Sequence, residues 1–181
     1  MAEEQSEETK DEARTFMKGL VGSAPESTYE FKGGDGIDME ALRIIYTHTT
    51  NKSTLMNRFW NELYDPTQTS IWTCSYDEAD SNEDLEQTIA IAEEFMKQTE
   101  SIADHCFGIM HTLDNLEIRG LWIFNAANPE RLFGINEDSS WFTFSQLGPE
   151  PNEYVKKAVA NLLTPKDDKL DGKTIKNIQT L

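Results

Sequence analysis

The chain has 181 residues, 38% of them apolar and 10% aromatic, enough large apolar surface for one folded core of about 120 residues with an extension at either end. Its formal charge of −17, from 33 carboxylates against 16 Lys and Arg, disfavours direct binding to nucleic-acid phosphates. No apolar run approaches the roughly 18 residues that span a bilayer, the N-terminus opens Met1-Ala2-Glu3-Glu4 with no basic-then-apolar signal, and two Cys are too few for a disulfide framework. A cytoplasmic protein with reduced thiols is expected.

Residues 1–30 carry eight acids and three bases, the composition of an acidic tail outside the core. Within it, Thr9 and Glu12 have the spacing of a capping box, and Ala13, Phe16, Met17 and Leu20 recur at helical spacing before Gly22. This predicts a short amphipathic helix, which is marginal alone and needs a surface to lie against. Gly33-Gly34-Asp35-Gly36 reads as a turn, because the Lys and hydroxyl of a phosphate-binding loop are missing. Asp38 can cap a helix to about Tyr46. Ser53 can cap another, with Leu55, Met56, Phe59, Trp60 and Leu63 as its apolar stripe, stopped by Asp65-Pro66.

Ser70 to Tyr76 is rich in aromatic and β-branched residues and predicts a strand. Ser81-x-x-Asp84 then opens a long helix whose face is Leu85, Ile89, Ala92, Phe95, Met96 and Thr99. His105 to Thr112 and Ile118 to Asn125 flank a short polar link and predict an antiparallel pair. Leu132 to Ile135 reads as a short edge strand and Ser139 to Leu147 as another strand, closed by Gly148-Pro149. Tyr154, Val155, Ala158, Val159 and Leu162 mark a last helix, and Thr164-Pro165 begins a polar tail to Leu181. The fold class is therefore α+β: an antiparallel or mixed sheet flanked by helices, with residues 31–163 as one domain between residues 1–30 and 164–181.

The chemistry-bearing residues lack the spacings that reactions require. Cys74, Cys106, His48, His105 and His111 make no Cys-x-x-Cys or His-Glu-x-x-His pattern, so no metal is expected. No Gly-x-Ser-x-Gly elbow occurs, and Cys106 next to His105 in a strand would point to the opposite face. With 33 carboxylates, acidic pairs arise by chance at any spacing. Trp72, Trp122, Phe124, Trp141, Phe142 and Phe144 lack the basic groove of a base-stacking platform and read as core. No catalytic residue and no cofactor is expected. The apolar residues of the extensions, namely Phe16, Met17 and Leu20 at one end and Ile175, Ile178 and Leu181 at the other, are the candidate partner contacts.

Four landmarks in order carry a family resemblance. They are Phe59-Trp60-Asn61-Glu62-Leu63-Tyr64-Asp65 with Ser70-Ile71-Trp72 and Tyr76, then Phe107-Gly108, then Ile118-x-Gly120-Leu121-Trp122-Ile123-Phe124, and last the strand closing on Leu147-Gly148-Pro149. Over about residues 55–155 the chain resembles the C-terminal domain of translation elongation factor 1 gamma. The resemblance implies an antiparallel sheet flanked by helices and a non-catalytic scaffold, with elongation factor 1 subunits as protein partners. Where the family's parent protein carries a glutathione-transferase-like domain, this sequence has an acidic stretch. A paralogue serving as a structural subunit of another large assembly, cytoskeletal or ciliary, is therefore the alternative expectation, with a small-molecule enzyme last.

Overall fold

Helical and strand periodicities alternate along the sequence, and most of them produce the element their period demands. A computed structural model describes residues 29–181, so the helix expected around Phe16, Met17 and Leu20 lies outside the described residues. Helix α1 (Met39–His48) starts at Asp38, whose carboxylate accepts from the amides of Glu40 and Ala41. Helix α2 (Lys52–Arg58) is capped by Asn51 and not by Ser53, because the extended Asn51 places its side-chain oxygen 2.9 Å from the Thr54 amide. It continues into a π-helical turn, Phe59–Leu63, in which the Tyr64 amide reaches back five residues to the Phe59 carbonyl. That turn gathers Phe59, Trp60 and Tyr64 into one aromatic group with ring centroids 4.8 to 5.9 Å apart.

The remaining elements are β1 (Ser70–Tyr76), α3 (Leu85–Thr99), β2 (Cys106–Leu113), β3 (Ile118–Phe124), α4 (Glu130–Ile135), β4 (Phe142–Leu147), α5 (Glu153–Leu163), β5 (Lys169–Leu170) and β6 (Lys173–Thr180). Two stretches differ from expectation. Leu132 to Ile135 belongs to α4 and is no edge strand: Asn128 accepts from the Glu130 amide, and the Pro129 carbonyl accepts from Leu132 and Phe133, which turns the chain helical. Residues 164–181, expected as a polar tail, form the hairpin of β5 and β6, and β6 pairs with β2.

The sheet order is β4-β1-β3-β2-β6-β5 and every neighbouring pair is antiparallel, which settles the choice between antiparallel and mixed. Helices cover both faces, so the centre of the sheet has no wet side. On one face Ile71, Phe107, Ile109, Leu121 and Ile123 pack against Met39 and Leu42 of α1, Leu55 and Phe59 of the α2 unit, and Val155, Val159 and Leu162 of α5. On the other, Trp72, Cys106, Met110, Trp122 and Phe124 meet Ala92, Phe95 and Met96 of α3, with Leu132 of α4. All of β2 is buried, and Arg119 alone breaks the burial of β3. Trp141, expected in the core, is 48% exposed, because it ends a 3-10 turn (Glu137–Trp141) whose backbone carbonyl holds the Asp77 amide while its side chain projects outward.

Two glycines let these layers close. A Cβ on Gly108 would lie 2.3 Å from the Trp122 ring opposite it in register, so the indole lies over bare backbone. One on Gly120 would lie 2.9 Å from the Ile109 carbonyl oxygen, the close approach expected of a glycine inside a strand. The segment before α1 is fastened to the sheet by Asn125, whose side chain accepts from the Ile37 amide and donates to the Ile37 carbonyl, both at 2.8 Å.

Candidate partner-binding cleft

Strands β1 and β4 alternate with a period of two. Trp72, Cys74, Phe142 and Phe144 point into the α3 core, so Thr73, Ser75, Thr143 and Ser145 point to the α5 side. Register sets Thr73 opposite Ser145 and Ser75 opposite Thr143, and next to Ser75 across β3 stands Arg119. Helix α5 does not cover this corner. It begins beside Pro149, at the end of β4, and crosses to β2, where the Leu162 carbonyl accepts a 2.7 Å hydrogen bond from His111 Nε2. The uncovered corner is a cleft of about 630 Å³ floored by those hydroxyls and walled by Tyr154, Ala158 and Asn161 of α5.

Its charged end is already paired. Arg119 lies 3.0 Å from Asp171 in the β5–β6 turn and 3.7 Å from Glu117, and Lys173 lies 3.8 Å from Glu117. Tyr154, 61% exposed, forms the rim. The Thr143 hydroxyl donates to Asp77 at 2.6 Å and that of Thr73 to the Ser145 carbonyl at 3.3 Å, which leaves their acceptor capacity, the hydroxyls of Ser75 and Ser145 and the aromatic rim to suit the polar groups of a peptide or side chain. The hydroxyl row escaped the sequence reading, yet its signal was present as polar residues alternating with aromatics along β1 and β4.

The cysteines and His111 are buried, including Cys74 in the strand that floors the cleft. Cys74 and Cys106 are buried, the latter with its thiol pushed up to about 12 by desolvation, so neither supplies a thiolate at neutral pH. His111 is fully buried. Its Nε2 binds Leu162, its Nδ1 has no partner, and burial holds its pKa below the ordinary value. His105 is exposed and precedes β2, so the two histidines do not share a site. Among the described residues no group of three or more His, Cys, Asp or Glu could hold a metal ion, and no helix is long and apolar enough to cross a membrane.

Of the apolar residues in the extensions, Phe16, Met17 and Leu20 lie outside the described residues. Ile175 packs against the α5-side core and Leu181 against the α3-side core. The Leu181 amide donates to the Gly108 carbonyl, and its own carbonyl accepts from Arg43 Nε at 2.6 Å. Ile178 alone remains outward, 46% exposed.

These features define a class: an α+β domain with an antiparallel sheet between two helical layers and a polar cleft at one corner. A family model described as elongation factor 1 gamma, conserved domain, matches residues 25–128, through the end of β3. The chain belongs to that translation elongation factor family. The landmarks at Phe59-Trp60, Phe107-Gly108 and Ile118–Phe124 fall inside the match, while the one closing at Leu147-Gly148-Pro149 lies beyond it. No curated protein matches the chain at a significant level.

Proposed function

We propose that this chain is a non-catalytic interaction module of the cytoplasmic translation elongation factor 1 complex, binding other subunits of that complex through its folded domain. The observation that carries this reading is the family match over residues 25–128. Supporting it, the aromatics of the family landmarks build the two cores, with Phe59, Trp72, Phe107 and Trp122 all buried, and the thiols and His111 are held in unreactive states. The hydroxyl-floored cleft and the exposed edge of β6 supply surfaces a subunit can occupy.

Affinity purification of the full chain from its native cells tests the reading. Recovery of elongation factor 1 alpha and beta subunits in stoichiometric amount is the expected result. A set of cytoskeletal or ciliary proteins in their place would overturn it in favour of a structural role in another assembly, and turnover of a co-purified metabolite would overturn it in favour of an enzyme.

A further inference from the structure

The corner cleft that α5 leaves open has a hydrogen-bonding polarity of its own. The Thr73 hydroxyl commits its proton to the Ser145 carbonyl at 3.3 Å, and its neighbour Thr143 likewise donates to the Asp77 carboxylate at 2.6 Å. A hydroxyl engaged in this way offers a visitor lone pairs and no proton. Ser75 follows Thr73 by one strand period, about 7 Å along β1, and Ser145 stands directly across from Thr73 on β4, about 5 Å away. The floor is thus a small array of oxygens set at the spacings of a ladder.

Arg119 does not turn the cleft into an anion site, because it lies 3.0 Å from Asp171 and 3.7 Å from Glu117, and those two carboxylates outnumber it in the lining. Immediately beside lining residues stand Asp77, Glu78, Asp80 and Glu153, against Lys157 and Lys169, while Lys173 reaches Glu117 at 3.8 Å. The surround is therefore acidic on balance even with every neighbouring lysine counted, in a chain of −17. A bare metal ion does not answer this, since no group of three or more His, Cys, Asp or Glu among the described residues could hold one. What fits is an organic cation that donates hydrogen bonds to oxygens. Tyr154, 61% exposed at the rim, adds a ring face on which a planar cation can lie. The cleft of about 630 Å³ is larger than a free guanidinium fills, and lies in the range that holds a side chain with its flanking backbone.

We infer that the cleft seats an arginine side chain presented by a basic segment of a protein partner. The guanidinium donates to the hydroxyls of Thr73, Ser75 and Ser145 and stacks on Tyr154, and the acidic surround favours further basic residues on either side of it. Arginine matches this floor better than lysine, because its donors lie in a rigid plane and engage several oxygens at once, whereas an ammonium is a compact point charge. The inference rests on the interaction-module reading above and deepens it by naming the surface and the partner's chemistry.

The test is an amide-resolved titration of the full chain with a short peptide alternating Arg and Ser, with its Lys-Ser and Glu-Ser counterparts, and with free arginine amide. The Arg peptide is expected to shift the Ser75, Ser145 and Tyr154 amides, to bind about tenfold more tightly than the Lys peptide, and to lose affinity as salt is raised. The Glu peptide leaves those amides unmoved. A Ser75→Ala, Ser145→Ala double change spares the two threonine hydroxyls bonded inside the protein, and should weaken the Arg peptide about tenfold at an unchanged melting temperature. Tyr154→Ala removes an exposed ring and should weaken it about threefold. Shifts confined to another surface, equal binding of the Lys or Glu peptide, or undiminished binding by both variants would overturn the inference. Free arginine amide binding as tightly as the peptide would also overturn it, by making the cleft a small-molecule site. Purified elongation factor 1 subunits that bind wild type and both variants equally would remove the cleft assignment while leaving the interaction-module reading intact. Arg-peptide binding in the cleft without any subunit binding would do the reverse.

Discussion

At the residue scale, the contact that tolerates least change is Gly108 beneath Trp122. A methyl group there must displace an indole buried between Phe95, at 5.7 Å, and Phe124, at 6.1 Å, so the ring has nowhere to move. Gly108→Ala should lower stability by about 1–3 kcal/mol, the range of overpacked cores, read as a drop in the urea midpoint at unchanged slope. An unchanged midpoint would show that the ring repacks freely. His111 supplies a pH dependence. Its imidazole has a pKa depressed from 6.5 by burial, so the folded protein binds fewer protons than the unfolded chain between 6.5 and the lowered value. Stability on this account is fully present above 6.5 and is lost as pH falls below it. The His111→Gln variant should be less stable at neutral pH, through the loss of the bond to Leu162, but flatter between pH 7.5 and 5.5. Parallel urea midpoints for the two proteins over that range would contradict this. Of these residues, Gly120 was legible as a glycine inside a strand pattern. Gly108 and His111 were not, because their roles depend on which residues lie opposite in register and on where α5 ends.

At the element scale, most strands and helices around the two cores followed from period alone, because apolar residues at intervals of two or of three and four match the faces that become buried. The short helix α4, expected as an edge strand, and the last strand did not. Its apolar residues Ile175 and Ile178 are three apart, yet both lie on the α5 side, because Lys176 is bulged out of the ladder and shifts the alternation by one. Reading a strand there requires knowing the bulge, and the lysines around it imitate a solvated tail. The structure makes this segment part of the fold, covering β2 and adding Ile175 to one core and Leu181 to the other. Deleting residues 173–181 should therefore cost about 3 kcal/mol or more, from two partly buried side chains at roughly 1.5–3 kcal/mol each when fully buried and from a ladder of hydrogen bonds. Amide exchange in β2 should accelerate with it. A truncated protein with native exchange in β2 would show that the hairpin contributes nothing to the domain. The cleft was half legible: the polar positions of β1 and β4 were visible, but that α5 leaves them uncovered depends on its diagonal path from Pro149 to His111.

At the scale of the whole molecule, helices on both sides of the sheet bury the landmark aromatics, while the surface features are an ion-paired hydroxyl cleft and the outer edge of β6. Such a division suits a protein whose work is done by contact. Charge sharpens the expectation, since a chain of net charge −17 attracts basic partner surfaces and its association should weaken with salt. The most direct test is sedimentation of the purified full chain mixed with purified elongation factor 1 alpha and beta subunits. The account predicts a faster-sedimenting complex at micromolar concentration that dissociates as salt is raised. A chain that sediments alone with every subunit at low salt would contradict it.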